Sequence, residues 1–143
     1  MADDNRQFIE RYVREVWHRH DLGALERFLA PDYRRHLSPT APPLDRARQL
    51  ERLDGMRTAF RDVSLTLEDV LADGDRVAFR STLRGTHTGE FLGLAATGRS
   101  FTVGLVDIVR IANGQIVDHW GGPDLYDLVR QLGANFGLDP DVT

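Results

Sequence analysis

Phe101-Thr102-Val103-Gly104-Leu105-Val106-Asp107-Ile108-Val109-Arg110-Ile111-Ala112-Asn113-Gly114-Gln115-Ile116-Val117-Asp118-His119-Trp120 decides the fold. Its first part is too rich in β-branched residues, and too long without a helical stripe, to be anything but a strand. Asn113-Gly114 is the strongest short hairpin signal, and Gln115 to Trp120 is the returning strand. Along the first strand the odd positions are Phe101, Val103, Leu105, Asp107, Val109 and Ile111. Asp107 therefore interrupts the more apolar face. A carboxylate there loses its hydration and needs a partner, and a desolvated acid in apolar surroundings is what proton-transfer chemistry uses.

What faces Asp107 depends on the hairpin register. A two-residue turn pairs Ile111 with Ile116 and puts Trp120 opposite Asp107. A three-residue loop with Gly114 left-handed pairs Ile111 with Gln115 and puts His119 opposite Asp107, an acid–base pair. Asn-Gly suits both.

Upstream, a second strand holds Val77, Phe79 and Leu83 on one parity, and Val63, Leu65 and Leu67 alternate in a third. Asp73-Gly74-Asp75 is a turn. Before residue 63 the period is helical. Residues 5–20 carry Phe8, Ile9, Tyr12, Val13, Val16 and Trp17 on one face. Residues 24–29 make a short helix ended by Pro31-Asp32. Residues 33–37 are extended, and residues 38–43 are a proline-rich loop. Residues 44–60 form a third helix with Ala47, Leu50, Leu53, Met56 (or Arg57) and Phe60 inward. Residues 125–132 give a last helix, and residues 134–143 a frayed tail. Helices first and consecutive antiparallel strands after them make an α+β domain over 1–143, its curved sheet closed on one face by the N-terminal helices.

The 143 residues include 18 basic and 22 acidic side chains, for a net charge of −4. That balance lacks the basic stripe of a nucleic-acid binder. Every basic residue is arginine and there is no cysteine, which removes Schiff-base, Walker-loop, thiolate-metal and thiol-nucleophile chemistry. The polar start and the want of a long apolar run argue for a cytoplasmic protein with no membrane span.

The blocks Gly85-Thr86-His87-Thr88-Gly89-Glu90-Phe91-Leu92-Gly93, Thr97-Gly98-Arg99, Asp107 to Ile111, Asn113 to Trp120 and Gln131-Leu132-Gly133 occur in an order and spacing that resembles the SnoaL-like polyketide cyclases. These belong to the nuclear transport factor 2-like superfamily. Pro31-Asp32-Tyr33 followed by His36 fits the same pattern, so the resemblance covers nearly the whole chain. It implies a cone with an apolar pocket between sheet and helices, a homodimer, and cofactor-free, metal-free aldol-type cyclisation of an aromatic polyketide ester. It also implies a general acid/base aspartate with a pocket histidine on the neighbouring strand, and points His36 into the cavity. Aligned this way, the family's aldol base falls on Gly121, which has no side chain, and its pocket histidine falls on Asp107.

The expected catalytic set is therefore Asp107, His119 and His36. Trp17, Phe79, His87, Leu105 and Val103 are expected to wall a pocket for a small apolar or aromatic carbonyl compound. Arg34 and Arg35 read as solvated, and Arg84 or Arg99 as the salt-bridge partner of a merely structural Asp107. The alternatives are a cofactor-independent hydroxylase or hydrolase on the same scaffold, and a non-catalytic dimeric ligand-binding module.

Overall fold

The computed structural model describes residues 2–134; most of the expected C-terminal tail lies outside the described residues. Helix α1 (Ala2–Tyr12) runs on into a π-helical turn, Val13–His18. A 3₁₀ turn (Leu22–Ala24) and α2 (Leu25–Phe28) lead directly into β1 (Leu29–His36). Then come α3 (Arg46–Ala59), β2 (Ser64–Asp73), β3 (Arg76–Thr86), β4 (Ser100–Ala112), β5 (Gln115–Pro123) and α4 (Leu125–Gln131). The strands form one sheet in the order β1-β5-β4-β3-β2.

The α+β layout expected from the sequence is present, with one correction. The sheet is mixed, because β1 pairs parallel with β5 while the other neighbours are antiparallel. Pro31 does not end a helix. It lies in β1, an edge strand, where the pairing to β5 is interrupted between Leu29 and Arg34 and no ladder hydrogen bond is asked of it.

The alternation of β4 appears as strictly alternating burial from Phe101 to Val109. Its inner face packs with Val77, Phe79 and Leu83 of β3 against Ile9, Val13 and Val16 of the first helix. In α3, Asp45 caps the N-terminus by accepting from the Arg48 amide at 2.9 Å. The buried stripe of α3 differs from the one expected. Leu50 is exposed, while Gln49 and Leu53 are buried. Arg57 reaches across from α3 and donates to the carbonyls of Val16 and, at 2.9 Å, His20. It thereby satisfies acceptors left open where the π turn ends.

The hairpin adopts neither of the two registers. Ile111 pairs with Ile116 around a two-residue turn, but a bulge follows at once, so that Arg110 faces Asp118, Val109 faces His119 and Asp107 faces Gly121. One extra residue on β5 shifts every later pair. The bulge restores the parity that puts His119 on the inner face, opposite Val109 and two residues along the ladder from Asp107.

Candidate active site

Asp107 and His119 project from β4 and β5 into the space under α3, and both are buried. His119 Nε2 and Asp107 Oδ1 are 2.8 Å apart, a diagonal contact across the ladder rather than a directly facing pair. The other ring nitrogen, Nδ1, is 2.9 Å from the Tyr33 hydroxyl on β1. Burial drives the Tyr33 phenol far above its ordinary pKa, so it keeps its proton and donates to Nδ1. Nε2 then carries the imidazole proton and donates it to Asp107. Burial also lowers the pKa of His119, more than the hydrogen bond to Asp107 raises it. The chain Tyr33–His119–Asp107 is thus a neutral phenol and a neutral imidazole holding one carboxylate oxygen.

Arg35, also on β1, is buried beside this chain, contrary to its reading as a solvated arginine. The alternation of β1 explains it. Tyr33 and Arg35 face inward, while Arg34 and His36 do not. Arg35 Nη1 stands 3.8 Å from Asp107 Oδ1, and Nη2 donates to the Gly121 carbonyl at 2.5 Å. The cation beside Asp107 is therefore Arg35, not Arg84 or Arg99.

These groups line a cavity of about 40 Å³ whose apolar wall includes Tyr12, Trp17, Phe79 and Leu105. A single water needs roughly 10–15 Å³, so this inner chamber admits a reacting functional group and not a whole polycyclic molecule. A wider cavity of about 280 Å³, lined by Gly55, Glu90, Phe91 and Leu92 among others, adjoins it and shares Arg52, Met56 and Pro123. Arg52 donates to Gln49 at 3.0 Å. Burial and the neighbouring Arg35 charge lower its pKa.

Three expected wall residues, Trp17, Phe79 and Leu105, line the inner chamber. Val103 is buried on the same sheet face but is not part of that wall. His87 is fully buried elsewhere. Its Nδ1 accepts from the Thr97 amide at 3.2 Å, and its ring packs 5.9 Å from Phe60. His36 does not join Asp107 and His119. It binds Asp118 at 2.9 Å and stacks on Trp120 at 5.0 Å, on the outward parity of β1 and β5. Among the described residues no three histidine or carboxylate side chains gather as a metal-ligand set.

Tyr33, Arg35, Gln49 and Arg52 were not singled out by the sequence. Gln49, Arg52, Leu53 and Met56 share one helical stripe, at i, i+3, i+4 and i+7, and all four line the chamber. The signal was present, but the polar members read as surface.

The glycines of β5 fix the other side. Gly121 has φ +89°, and a Cβ there would run into the Val106 carbonyl. Gly122 has φ +134°, and its Cβ would come within 2.7 Å of Arg35 Nη2. A carboxylate cannot stand at 121 on this backbone, and the acid of the chamber is Asp107.

An α+β cone with a buried acid–base pair at the inner end of adjoining cavities has the form of a small-molecule site, and the comparisons with known proteins say of which kind. Residues 7–132 match the model of the SnoaL-like polyketide cyclases, and the chain belongs to that family. Over 61 residues it is 39% identical to the aklanonic acid methyl ester cyclase DnrD of Streptomyces peucetius. That stretch is 43% of this chain and 42% of the cyclase, less than half the length of the curated relative. Among solved structures, TsrD from Streptomyces laurentii is 32% identical with a TM-score of 0.82, over 94% of this chain and 98% of its own. IdmH from Streptomyces antibioticus, a proposed polyketide cyclase, is 35% identical with a TM-score of 0.73, over 85% and 94%. AclR from Streptomyces galilaeus, a proposed hydroxylase, is 27% identical with a TM-score of 0.86, over 99% and 88%. No helix among the described residues is long and apolar enough to cross a membrane.

Proposed function

We propose that the chain cyclises an enolisable polyketide ester by acid–base catalysis, with Asp107 as the base and His119 and Tyr33 holding it in place. One observation carries this reading. A buried carboxylate is fixed through Oδ1 by a neutral imidazole, on the wall of a chamber that a substrate's reacting end can enter. Oδ2, which takes no hydrogen bond among those described, is left to receive a proton.

In this scheme Asp107 removes the proton from the carbon between an ester and a ketone. The C–H electron pair moves onto the carbonyl oxygen. The enolate carbon then attacks a second carbonyl of the same molecule, one C–C bond forms, and the resulting alkoxide recovers the proton from Asp107. No atom changes hands with a cofactor and no net oxidation occurs, so the chemistry asks only for a base, a dry site and a held conformation. The body of the ligand lies in the wider outer cavity, and only its reacting end enters the chamber.

Incubation with the methyl ester of an uncyclised aromatic polyketide tests the scheme. Wild type forms the ring-closed isomer of identical mass and Asp107→Asn does not; equal turnover by both would move the base elsewhere.

A second reading is cofactor-independent hydroxylation. The absence of a carboxylate at Gly121 and the likeness to AclR favour it. Oxygen uptake with product heavier by one oxygen atom would select it over cyclisation. The same reading pairs two copies of the chain through the outer face of the sheet. Val106 and Ile108 are exposed on the outer sheet face, and sedimentation at micromolar concentration reads the assembly directly.

A further inference from the structure

We propose that Arg35 is the oxyanion-binding group of this chamber and selects substrates whose reacting carbonyl becomes an enolate. This rests on Asp107 as the base.

Arg35 is 2% exposed, yet Nε and Nη1 have no hydrogen-bond partner among the described residues. Unpaired N–H donors on two nitrogens of a buried guanidinium are costly. Arg35 forms part of the chamber wall, so these donors border the space where a ligand atom would sit. Nη2 is tied to the Gly121 carbonyl, and Gly122 leaves room for it by having no side chain. The guanidinium is therefore anchored at one end and open at the other.

Nη1 lies 3.8 Å from Asp107 Oδ1, close enough for strong attraction and too far for a hydrogen bond. In the resting chamber the Asp107 charge balances that of Arg35. When Asp107 takes the α-proton, the C–H bond breaks, an O–H bond forms on the carboxyl, and the negative charge passes to the carbonyl oxygen of the substrate. Held against Nη1 and Nε, that oxygen replaces the lost carboxylate as counter-charge. The buried charge stays constant, and the donors bond most strongly as the enolate oxygen gains its charge, which is the arrangement that accelerates a reaction rather than merely tightening binding. Arg52, on the boundary between the two cavities, adds a second positive charge on the approach. The substrate class is thus a 1,3-dicarbonyl or other strongly enolisable compound, with the carbonyl oxygen toward β1 and the acidic carbon toward β4.

The probe is cyclohexane-1,3-dione, a stable enolate at neutral pH, titrated by calorimetry and by its ultraviolet band. Asp107→Asn frees Arg35 of its resting counter-charge and so binds this enolate about tenfold or more tighter than wild type. The double variant Asp107→Asn with Arg35→Met removes both charges together, which leaves no unbalanced ion to unfold the core, and loses that gain. Asp107→Asn with Arg35→Lys keeps part of it. Equal affinity of Asp107→Asn and the Arg35→Met double variant, or no enolate binding by Asp107→Asn, overturns the role given to Arg35. Failure of the base assignment has a separate signature, namely turnover retained by Asp107→Asn, whatever the binding data.

Discussion

Tyr33→Phe isolates the contribution of the third group in the chain. Tyr33 does not line the chamber. It is 1% exposed, and its hydroxyl donates to His119 Nδ1 at 2.9 Å. The substitution removes one oxygen and leaves a buried ring nitrogen with two outcomes. Either Nδ1 stays bare, or the imidazole proton moves to Nδ1 and Asp107 loses its donor. Stranding a buried hydrogen-bonding group costs about 1–3 kcal/mol. At roughly 3–5 °C per kcal/mol for a chain of this length, the melting temperature falls by about 3–15 °C. If that loss falls wholly on the transition state, at about 1.4 kcal/mol per decade, kcat drops by about 5-fold to 150-fold. KM stays nearly constant because no substrate contact is lost. The assay pairs steady-state kinetics with ¹⁵N shifts of His119, in which Nδ1 is the unprotonated, hydrogen-bonded nitrogen in wild type and in Tyr33→Phe either loses that bond or takes up part of the imidazole proton. A variant with wild-type kcat and an unchanged imidazole tautomer refutes the positioning role and leaves Tyr33 as core packing.

Other consequences follow from the same geometry. Burial lowers the folded-state pKa of His119, so the unfolded chain binds its proton first as the pH falls through about 6.5. Stability therefore declines on acidification below that point, and His119→Gln flattens the decline in denaturant titrations between about pH 6.5 and 5; an unchanged slope contradicts the buried neutral imidazole. Gly121→Ala strains a backbone at φ +89° and presses on the Val106 carbonyl, so it lowers stability by more than about 2 kcal/mol, measured by urea unfolding. Asp45→Ala costs about 1 kcal/mol through the lost cap of α3 and leaves the reaction unaffected, since the cap lies outside the chamber.

Much of the architecture was legible in residues 101–120, because a strand buried on one side writes its alternation into the sequence. The same alternation exposed Asp107 as out of place but left open whether His119 or Trp120 shared its face. The exact contact was hidden by the bulge between Ile116 and Asp118 of β5, since an extra residue in a strand leaves no mark on composition and changes every partner beyond it. The direction of β1 was hidden too. An eight-residue edge strand joined to its neighbour through the whole remaining chain carries no local sign of being parallel. That placement brings Tyr33 and Arg35 to the site and sends His36 outward, so one unreadable pairing moved three residues. Gln49 and Arg52 were missed for the opposite reason. Their helical spacing was visible, but a polar side chain on an arginine-rich helix reads as solvated until a cavity is seen beneath it.

Solvent exchange observes removal of a proton from carbon by the Asp107 carboxylate without the natural substrate. A small β-keto ester is incubated in D₂O with enzyme, and loss of the α-proton signal is followed by NMR against the uncatalysed rate. Exchange accelerated by wild type and reduced to background by folded Asp107→Asn is the expected result. Exchange that persists at the wild-type rate without that carboxylate rules out Asp107 as the base.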